Sequence, residues 1–298
     1  MARRIKLIWQ SKLVLLLVLP FAASGVVLQT RWWEVNFWPV AVWTLGLSLL
    51  LGLAVFLLRA ATPEAALSGA AITASLMYST ARFTPAEAFA YAPWHTALIP
   101  LLALFLLTFI STRLGRERKE KLGTAEPRQG RSAAQVTANL GVAALVSSEF
   151  AHTWLSGADW FARTGLGAAP LWFAAATAAL AEAAADTVSS EVGQVMGRRP
   201  RMITTLRRSA AGTDGAITLA GTLAGVAAAG IVALAGSLAL GGGKNLLVAS
   251  WAGGVFGLLF DSLLGATIER RGWLNNDLVN FLSSGSAAAF ALLLAALG

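Results

Sequence analysis

The sequence contains nine long apolar runs, separated by short segments that hold most of the charged residues. A helix that crosses the hydrocarbon core of a bilayer needs roughly 20 apolar residues. Helices and closed barrels are the only structures that satisfy all backbone polar groups in lipid. The pattern therefore predicts an all-α, polytopic integral membrane helix bundle with about nine transmembrane helices. The runs cover approximately residues 13–30, 40–58, 65–81, 96–112, 133–149, 166–190, 213–237, 246–266 and 278–297.

The lysines and arginines predict which side of the membrane each loop occupies. Of the 23 basic residues, all but four fall in segments that share a membrane side with the N-terminus; the four are Arg31, Arg82, Arg163 and Lys244. Cytoplasmic loops of membrane proteins carry an excess of lysine and arginine. We therefore expect the N-terminus to lie in the cytoplasm. The alternative that omits the third run would put the basic N-terminal segment outside, against this rule.

The composition indicates one membrane domain over residues 1–298 and restricts its metal chemistry. Hydrophobic residues make up 56% of the chain and charged residues 13%, whereas a soluble domain is about 25% charged. The chain has no cysteine and two histidines, so a bound metal would need oxygen ligands, and magnesium is the metal such ligands favour. The net charge of +8 lies in the short loops, and we expect no nucleic-acid partner.

Acidic residues in or beside the apolar runs are candidates for catalysis. Glu182 and Asp186 in the sixth run are four residues apart, and two like charges on one helix face repel unless a cation or a shared proton lies between them. Glu191 follows directly after this run towards the cytoplasmic end of the same predicted helix, Asp214 opens the seventh run, and Asp261 lies near the cytoplasmic end of the eighth. The alternative is that Asp214 caps a helix and the other acids pair with arginines. The predicted catalytic residues are Asp186, Glu191, Asp214 and Asp261, and the predicted magnesium ligands are Asp186, Asp214 and Asp261.

The start of the fifth run is typical of an anion site. Arg128 and Arg131 precede it, and Gln135 and Asn139 are four residues apart on one helix face. A helix N-terminus beside guanidinium groups favours phosphate. Anchoring of the loop in the cytoplasm explains the arginines but not the two amides, so we predict a phosphate site.

Further polar residues on the same membrane side complete the predicted substrate-binding set. For the asparagines the alternative is a helix cap at the start of the ninth run. These residues are Arg198, Arg199, Arg207, Arg208, Asn276 and Asn280.

Two pairs of glycines, Gly221 with Gly225 and Gly253 with Gly257, show the small-x-x-x-small spacing. This spacing lets two membrane helices approach closely. We predict that both pairs serve helix packing and not catalysis.

Five motifs occur in a fixed order between about residue 60 and residue 298. They are GTAEPRQGRSAAQVTANLGVAAL (123–145), AEAAADTVSSEVGQ (181–194), GTDGAITLAGTLAG (212–225), FDSLLGATIERRG (260–272) and NNDLVNF (275–281). The set resembles the membrane family that contains plant phytyl-phosphate kinase and animal transmembrane protein 19. The resemblance implies a CTP-dependent kinase that converts an isoprenyl monophosphate into its diphosphate in a membrane.

A more distant similarity links the chain to dolichol and phytol kinases. The segment from Asp186 to Gly193, the basic Gly197-Arg198-Arg199, and Gly221 to Gly225 resemble the order of motifs in those enzymes. Ala220 stands where those kinases carry an acidic residue, so the similarity is incomplete at that position.

The sequence leaves two functions open. In a kinase, carboxylates would hold Mg²⁺, arginines would bind the phosphates of CTP or another nucleotide, and the prenyl tail would lie among membrane lipids between the helices. In a transporter or lipid-phosphate flippase, the buried acids would be ion sites. Acids near one membrane rim and the lack of a clear internal repeat favour the kinase, whereas a non-catalytic scaffold would leave the acid and amide pairs unexplained. The expected location is the cytoplasmic membrane of a prokaryote.

Overall fold

The computed structural model describes residues 7–81, 91–148, 169–197 and 199–297. These residues are mostly helical, which confirms the prediction of a helical membrane protein. A 3₁₀ turn spans Pro93–His95 and a π-helical turn spans Gly265–Glu269. The helices and strands among the described residues are α1 (Ile8–Leu57), α2 (Pro63–Thr80), α3 (Leu98–Arg113), α4 (Arg116–Leu122), α5 (Ala133–Ser147), α6 (Ala169–Met196), β1 (Arg201–Met202), β2 (Ala216–Ile217), α7 (Leu219–Leu240), α8 (Gly243–Leu264) and α9 (Asn276–Leu297).

The first two predicted runs are joined in α1, which reverses direction at Phe37. This residue has φ −161° and ψ 82°, outside the helical region, and lies inside an otherwise continuous helix. Before Phe37, successive residues of α1 contact successively later residues of α2. After Phe37, successive residues of α1 contact successively earlier residues of α2. The two arms of α1 therefore run in opposite directions, as predicted for two consecutive runs, but without the predicted loop. The contacts are Gly25 with Ser75 and Thr30 with Tyr78 before the kink, and Ser48 with Met77 and Gly52 with Ala66 after it.

Four helices among the described residues are long and apolar enough to cross a membrane: α1, α7, α8 together with the π-helical turn, and α9. Helices α3 and α4 meet at 67° and form a fifth candidate if they are counted as one broken span. Helix α5, predicted over 133–149, has 15 residues, fewer than the roughly 17 a spanning helix needs. The count of nine crossings and the cytoplasmic N-terminus stay predictions.

Helix α6 lies at the centre of the bundle. Its residues 172–185 are all buried, and α3, α5, α7, α8 and α9 pack on it. Alanine side chains and facing glycines allow this close approach. A Cβ added at Gly225 would lie 2.8 Å from Ala185 O, and one at Gly257 would lie 2.5 Å from Glu182 Cγ. The glycine pairs thus serve helix packing, as predicted.

Residues 199–218 form a hairpin and not the start of the seventh helix. Helix α7 begins after Thr218, whose hydroxyl accepts from the backbone N–H three residues later at 3.0 Å. The prediction that Asp214 opens this helix is wrong. Gly212, two residues before Asp214, and Gly215, directly after it, have φ of +78° and +73°. These values are incompatible with a right-handed helix.

Candidate functional site

A polar cavity of about 260 Å³ lies where α6, the hairpin, the end of α8 and the π-helical turn meet. Three of the predicted catalytic carboxylates, Asp186, Asp214 and Asp261, line this acidic cavity together. The described residues that line it include no lysine or arginine. Its other polar lining residues are Thr124, Ser189, Ser190, Gln194, Thr213, Thr218, Ser262, Glu269 and Asn276.

Asp186 and Asp261 line the same cavity and interact with each other electrostatically. Ser283 of α9 connects the pair to Glu182: its Oγ lies 3.1 Å from Asp261 Oδ2 and 2.8 Å from Glu182 Oε1. Ser284 donates to the other oxygen of Glu182 at 2.5 Å. A hydroxyl has one proton to donate. Ser283 Oγ also lies 3.0 Å from Asn280 O, so three acceptors share its one proton and it cannot donate to both carboxylates at once.

The donor set of the acidic cavity suits a hard cation without forming a complete cage. Within the four described segments, no group of three or more Asp, Glu, His or Cys side chains is arranged to hold a metal ion. Magnesium usually binds one or two carboxylates and completes its shell with water and substrate phosphates. The Asp186–Asp261 pair, with Asp214 and several hydroxyls on the same cavity, fits that partial mode. The three-carboxylate magnesium site stays a prediction.

A second pocket of about 710 Å³ opens between α1, α2, α3 and α5. We call it the apolar pocket, because its wall is mostly apolar. The large apolar side chains that line it include Leu51, Val55, Leu101, Leu104, Phe105, Phe109, Val136 and Leu140. Helix α6 contributes to both sites: Ala183 lines the apolar pocket, and Asp186, three residues later, lines the acidic cavity.

Five arginines gather at one end of the apolar pocket. They come from the segment after α1, the end of α3, the start of α4 and the segment before α5. The segments after α1 and before α5 are joined by Arg131 N, which donates to Ala60 O at 2.9 Å. Glu117, Glu120 and Glu126 also line the pocket, so five arginines face three glutamates. The pocket is therefore amphipathic, with an apolar body and a mouth that is cationic on balance. The five are Arg59, Arg113, Arg116, Arg128 and Arg131.

Three of these arginines have protein partners. Arg131 Nη2 donates to Thr187 Oγ1 of α6 at 3.2 Å. Arg113 donates to Leu58 O and lies over the ring of Phe109, and Arg116 binds Glu120 and donates to Glu126 O. The guanidinium groups of Arg59 and Arg128 form no hydrogen bond or ion pair with any described residue. These two cations are available to an anionic ligand.

The two amides predicted to bind phosphate make contacts within the protein. Gln135 forms a capping box with Ser132: Ser132 N donates to Gln135 Oε1 at 2.8 Å, and Ser132 Oγ accepts from Gln135 N at 3.3 Å. Asn139 lines the apolar pocket, but its Oδ1 accepts from Asn280 Nδ2 at 2.8 Å. Gln135 thus caps α5, and Asn139 and Asn280 join α5 to α9.

Glu191, predicted as catalytic, does not line the acidic cavity. Its Oε2 accepts from Lys119 Nζ at 2.5 Å, and both residues are buried. The sequence reasoning missed this role of Lys119 because it counted the residue among the loop cations that report topology. Residues 113–121 contain four other basic residues, Arg113, Arg116, Arg118 and Lys121. The sequence therefore does not distinguish the buried Lys119 from its neighbours.

The remaining predicted residues are divided between the hairpin and the start of α9. Arg199, Arg207 and Arg208 are exposed and do not line the acidic cavity, and Arg198 lies outside the described residues. Asn276 does line the cavity. The predicted cap of the last helix is Asn275, whose Oδ1 accepts from Leu278 N at 2.9 Å.

Comparisons with known proteins agree with a membrane protein. A family model described as integral membrane protein DUF92 matches residues 46–288. An uncharacterised membrane protein of Methanocaldococcus jannaschii is 40% identical over 187 residues, which cover 63% of this chain and 71% of that protein. An uncharacterised membrane protein of Synechocystis is 32% identical over 209 residues, covering 67% and 73%. The chloroplast protein VTE6 of Arabidopsis thaliana is 28% identical over 199 residues, covering 64% and 56%. No solved structure matches the chain.

Proposed function

The chain belongs to the integral membrane protein family DUF92, and from this premise we propose that it is a kinase. It transfers the γ-phosphoryl group of CTP, or of another nucleotide, to an isoprenyl monophosphate and forms the diphosphate at the cytoplasmic face of a membrane. The motifs at 123–145, 181–194, 212–225, 260–272 and 275–281, which resemble those of the family containing plant phytyl-phosphate kinase, support this chemistry. Relatives in an archaeon and a cyanobacterium support the cytoplasmic membrane of a prokaryote as its location.

The observation that carries the proposal is the amphipathic pocket next to an acidic cavity. An isoprenyl monophosphate has a long apolar tail and one anionic head. A volume of about 710 Å³ lies in the range of roughly 300 to 1,000 Å³ that holds mid-sized ligands. The tail fits the apolar wall, where burial contributes about 25 cal/mol for each Å² removed from water. The phosphate then lies at the mouth, beside the free guanidinium groups of Arg59 and Arg128.

Arg131 connects the two halves of the proposed reaction. It lines the apolar pocket and donates to Thr187, the residue after Asp186 on α6. A lipid phosphate bound by Arg131 is thereby held beside the helix that forms a wall of the acidic cavity. Phosphoryl transfer depends mainly on alignment and charge neutralisation. No general base is required, since a monophosphate oxygen is already a nucleophile at neutral pH.

The acidic cavity is the proposed nucleotide site. Asp186 and Asp261 would hold Mg²⁺ there, with Asp214 as a further ligand. When bound, the ion would offset the charge of the nucleotide phosphates. Asn276 adds an amide at the wall of this cavity, and the exposed Arg199, Arg207 and Arg208 lie on the hairpin that forms another part of that wall.

One observation favours the second candidate, a transporter or lipid-phosphate flippase. Glu182 is 1% exposed and does not line the acidic cavity, although it is linked to Asp261 through Ser283. A buried carboxyl inside a membrane bundle is also what an ion pathway requires. The kinase remains our proposal because a flippase would need the pocket with a cationic mouth but not the adjacent acidic cavity, whose Asp186, Asp214 and Asp261 suit Mg²⁺ and nucleotide phosphates.

The test is a transfer assay with purified protein in lipid nanodiscs. Phytyl or geranylgeranyl monophosphate is incubated with γ-labelled CTP or ATP and Mg²⁺, and the lipid product is separated. A labelled lipid diphosphate that depends on Asp186 is the expected result. Asp277→Asn is the matched control, because Asp277 accepts from Ser11 and does not line the acidic cavity. Movement of lipid phosphate or protons across liposomes, without any diphosphate, would show the transporter instead.

A further inference from the structure

Lys119 is a fully buried lysine that neither half of the proposed reaction uses. It lies on α4, a helix of seven residues that leaves α3 at 67°. Its side chain is directed back into the bundle and is 0% exposed. Taking a cation out of water is costly unless charge and hydrogen bonds replace the lost hydration, so the position needs a structural explanation.

Three acceptors surround the Lys119 ammonium group and match its three protons. Nζ donates to Ser111 O at 3.1 Å, to Thr112 O at 2.6 Å and to Glu191 Oε2 at 2.5 Å. The two carbonyls belong to the last turn of α3, where a cation is favoured by the helix dipole. The carboxylate belongs to α6. One side chain therefore joins the end of α3, the short helix α4 and the central helix α6.

A second contact fixes the same segment to α6 one turn later. Thr124 Oγ1 donates to Gln194 Oε1 at 2.5 Å, and Thr124 N donates to Lys119 O at 3.0 Å. Gly115 and Gly123, at the two ends of α4, have φ of +58° and +70°. Glycine adopts this left-handed conformation without strain, so the chain can turn at both ends of α4.

The segment held in this way borders both candidate sites. Glu117 and Glu120 of α4, and Pro127 and Arg128 after it, line the apolar pocket. Thr124 lines the acidic cavity. The two anchors, Lys119 and Thr124, bind Glu191 and Gln194 of α6, which follow Asp186 by roughly one and a half and two turns. We call residues 116–128, which border both sites, the shared wall. Its position is set relative to α6, the helix that carries Asp186.

We propose that Lys119, through its ion pair with Glu191, is a positioning residue that holds the shared wall of the two sites in place. It touches neither substrate. Loss of the ion pair lets α4 and the loop after it move away from α6, so that the lipid-phosphate site and the nucleotide site lose their alignment together. The structural part of this proposal stands on the contacts alone, and the catalytic part rests on the proposed function.

The structural part is tested by spin labelling, which the lack of cysteine in the chain makes straightforward. A nitroxide on Lys121→Cys, an exposed position on α4, reports how strongly the helix is held. Lys119→Met should make the label more mobile in nanodiscs. Arg118→Met, which removes an exposed cation from the same helix, is the matched control and should leave the spectrum unchanged. An unchanged spectrum for Lys119→Met overturns the proposal.

The catalytic part is tested with the same variants in the transfer assay. Lys119→Met should lower kcat/KM for both substrates by roughly 10-fold to 100-fold, the loss that a displacement of about 1 Å produces, while Arg118→Met stays close to the parent. If Lys119→Met changes only the yield of folded protein and leaves kcat and both KM values unaltered, the residue is merely structural and the proposal fails. If the parent transfers no phosphoryl group, the proposed function fails, and the label mobility still decides whether Lys119 holds the wall.

The double variant Lys119→Met/Glu191→Met serves where the single variant does not fold. It leaves no unpaired buried charge, so folding should recover. The hydrogen bonds to Ser111 O and Thr112 O remain lost, so the label should stay mobile and both kcat/KM values should stay low. Recovery of the parent spectrum in the double variant would show that charge balance alone matters and would overturn the proposal.

Discussion

Arg131 Nη2 donates to Thr187 Oγ1 at 3.2 Å. This contact joins the cationic mouth of the apolar pocket to the residue that follows Asp186 on α6. The hydrogen bond orients a guanidinium group that still has other donors to offer, since this group carries five N–H donors in a fixed fork. A phosphate bound by the remaining donors would be held at a fixed distance from the acidic cavity.

Replacement of Arg131 by alanine is expected to raise the KM for the lipid monophosphate by roughly 10-fold to 100-fold, which corresponds to about 1.5 to 3 kcal/mol for a charge-assisted hydrogen bond. Lysine should restore the activity only in part, because it keeps the charge but not the planar fork. Steady-state kinetics in nanodiscs provide the measurement. Equal activity of the lysine variant and the parent would mean that Arg131 only anchors its loop on the cytoplasmic side and does not bind the phosphate.

Gln135 offers a contrasting prediction, because the structure assigns it to the capping box of α5. Gln135→Ala should lower the free energy of unfolding by about 1 kcal/mol, as loss of a cap does, and should leave the KM for the lipid substrate unchanged. Thermal unfolding in detergent and the transfer assay together measure both effects. A raised KM without loss of stability would support the original interpretation of this amide as a phosphate ligand.

Asp186 and Asp261 should both be required for activity that depends on Mg²⁺. Asp186→Asn or Asp261→Asn is expected to abolish diphosphate formation, since an amide keeps the shape but loses the charge that a hard cation needs. Each variant should still insert and purify as a folded protein. Mg²⁺ titration of the residual activity, with Asp277→Asn as control, is the measurement, and full activity of either variant would remove that residue from the metal site.

The membrane sides of the loops can be measured with single cysteines, because the chain has none of its own. Cysteines at Arg118 and Arg201 should react with an impermeant thiol reagent only from the cytoplasmic side, and one at Gly242 only from the opposite side, as the distribution of basic residues predicts. Labelling of position 118 from outside intact cells would contradict the topology.

Much of the helical structure was predictable because length and hydropathy are local properties of the chain. The convergence of Asp186 and Asp261 was also predictable, since residues near the same end of neighbouring membrane helices must share a side. The start of α7 was not. Asp214 stands where a helix cap is plausible, but the nearby Gly212 and Gly215 adopt positive φ. The sequence alone does not show which glycines adopt positive φ.

The apolar pocket and the Lys119 contact depend on tertiary packing, which a single sequence does not encode in any local pattern. The pocket is formed by side chains of α1, α2, α3 and α5 that are far apart in the sequence. Lys119 looks like its exposed neighbours Arg118 and Lys121 in the sequence, and only the bend between α3 and α4 turns it inward. The reversal at Phe37 differs from these two features, because the sequence does signal it: Pro39 lies two residues later inside α1, and a proline inside a helix removes a backbone hydrogen bond and kinks the chain.

Alanine substitutions at Gly257 and Gly285 form a matched pair, because one glycine lies in a close helix contact and the other faces open space. A Cβ at Gly257 of α8 would lie 2.5 Å from Glu182 Cγ and 2.8 Å from Ala287 Cβ, whereas a Cβ at Gly285 of α9 would meet nothing within 4 Å. Gly257→Ala should therefore push Glu182 away from Ser283 and destabilise the protein by about 1 to 3 kcal/mol, the usual cost of overpacking. Gly285→Ala should cause no loss, because alanine fits the open space and favours a helix over glycine. Thermal unfolding of both variants in the same detergent is the measurement. Equal stability of the two would mean that α8 can shift away from α6, and that the burial of Glu182 is not fixed by the packing of Gly257.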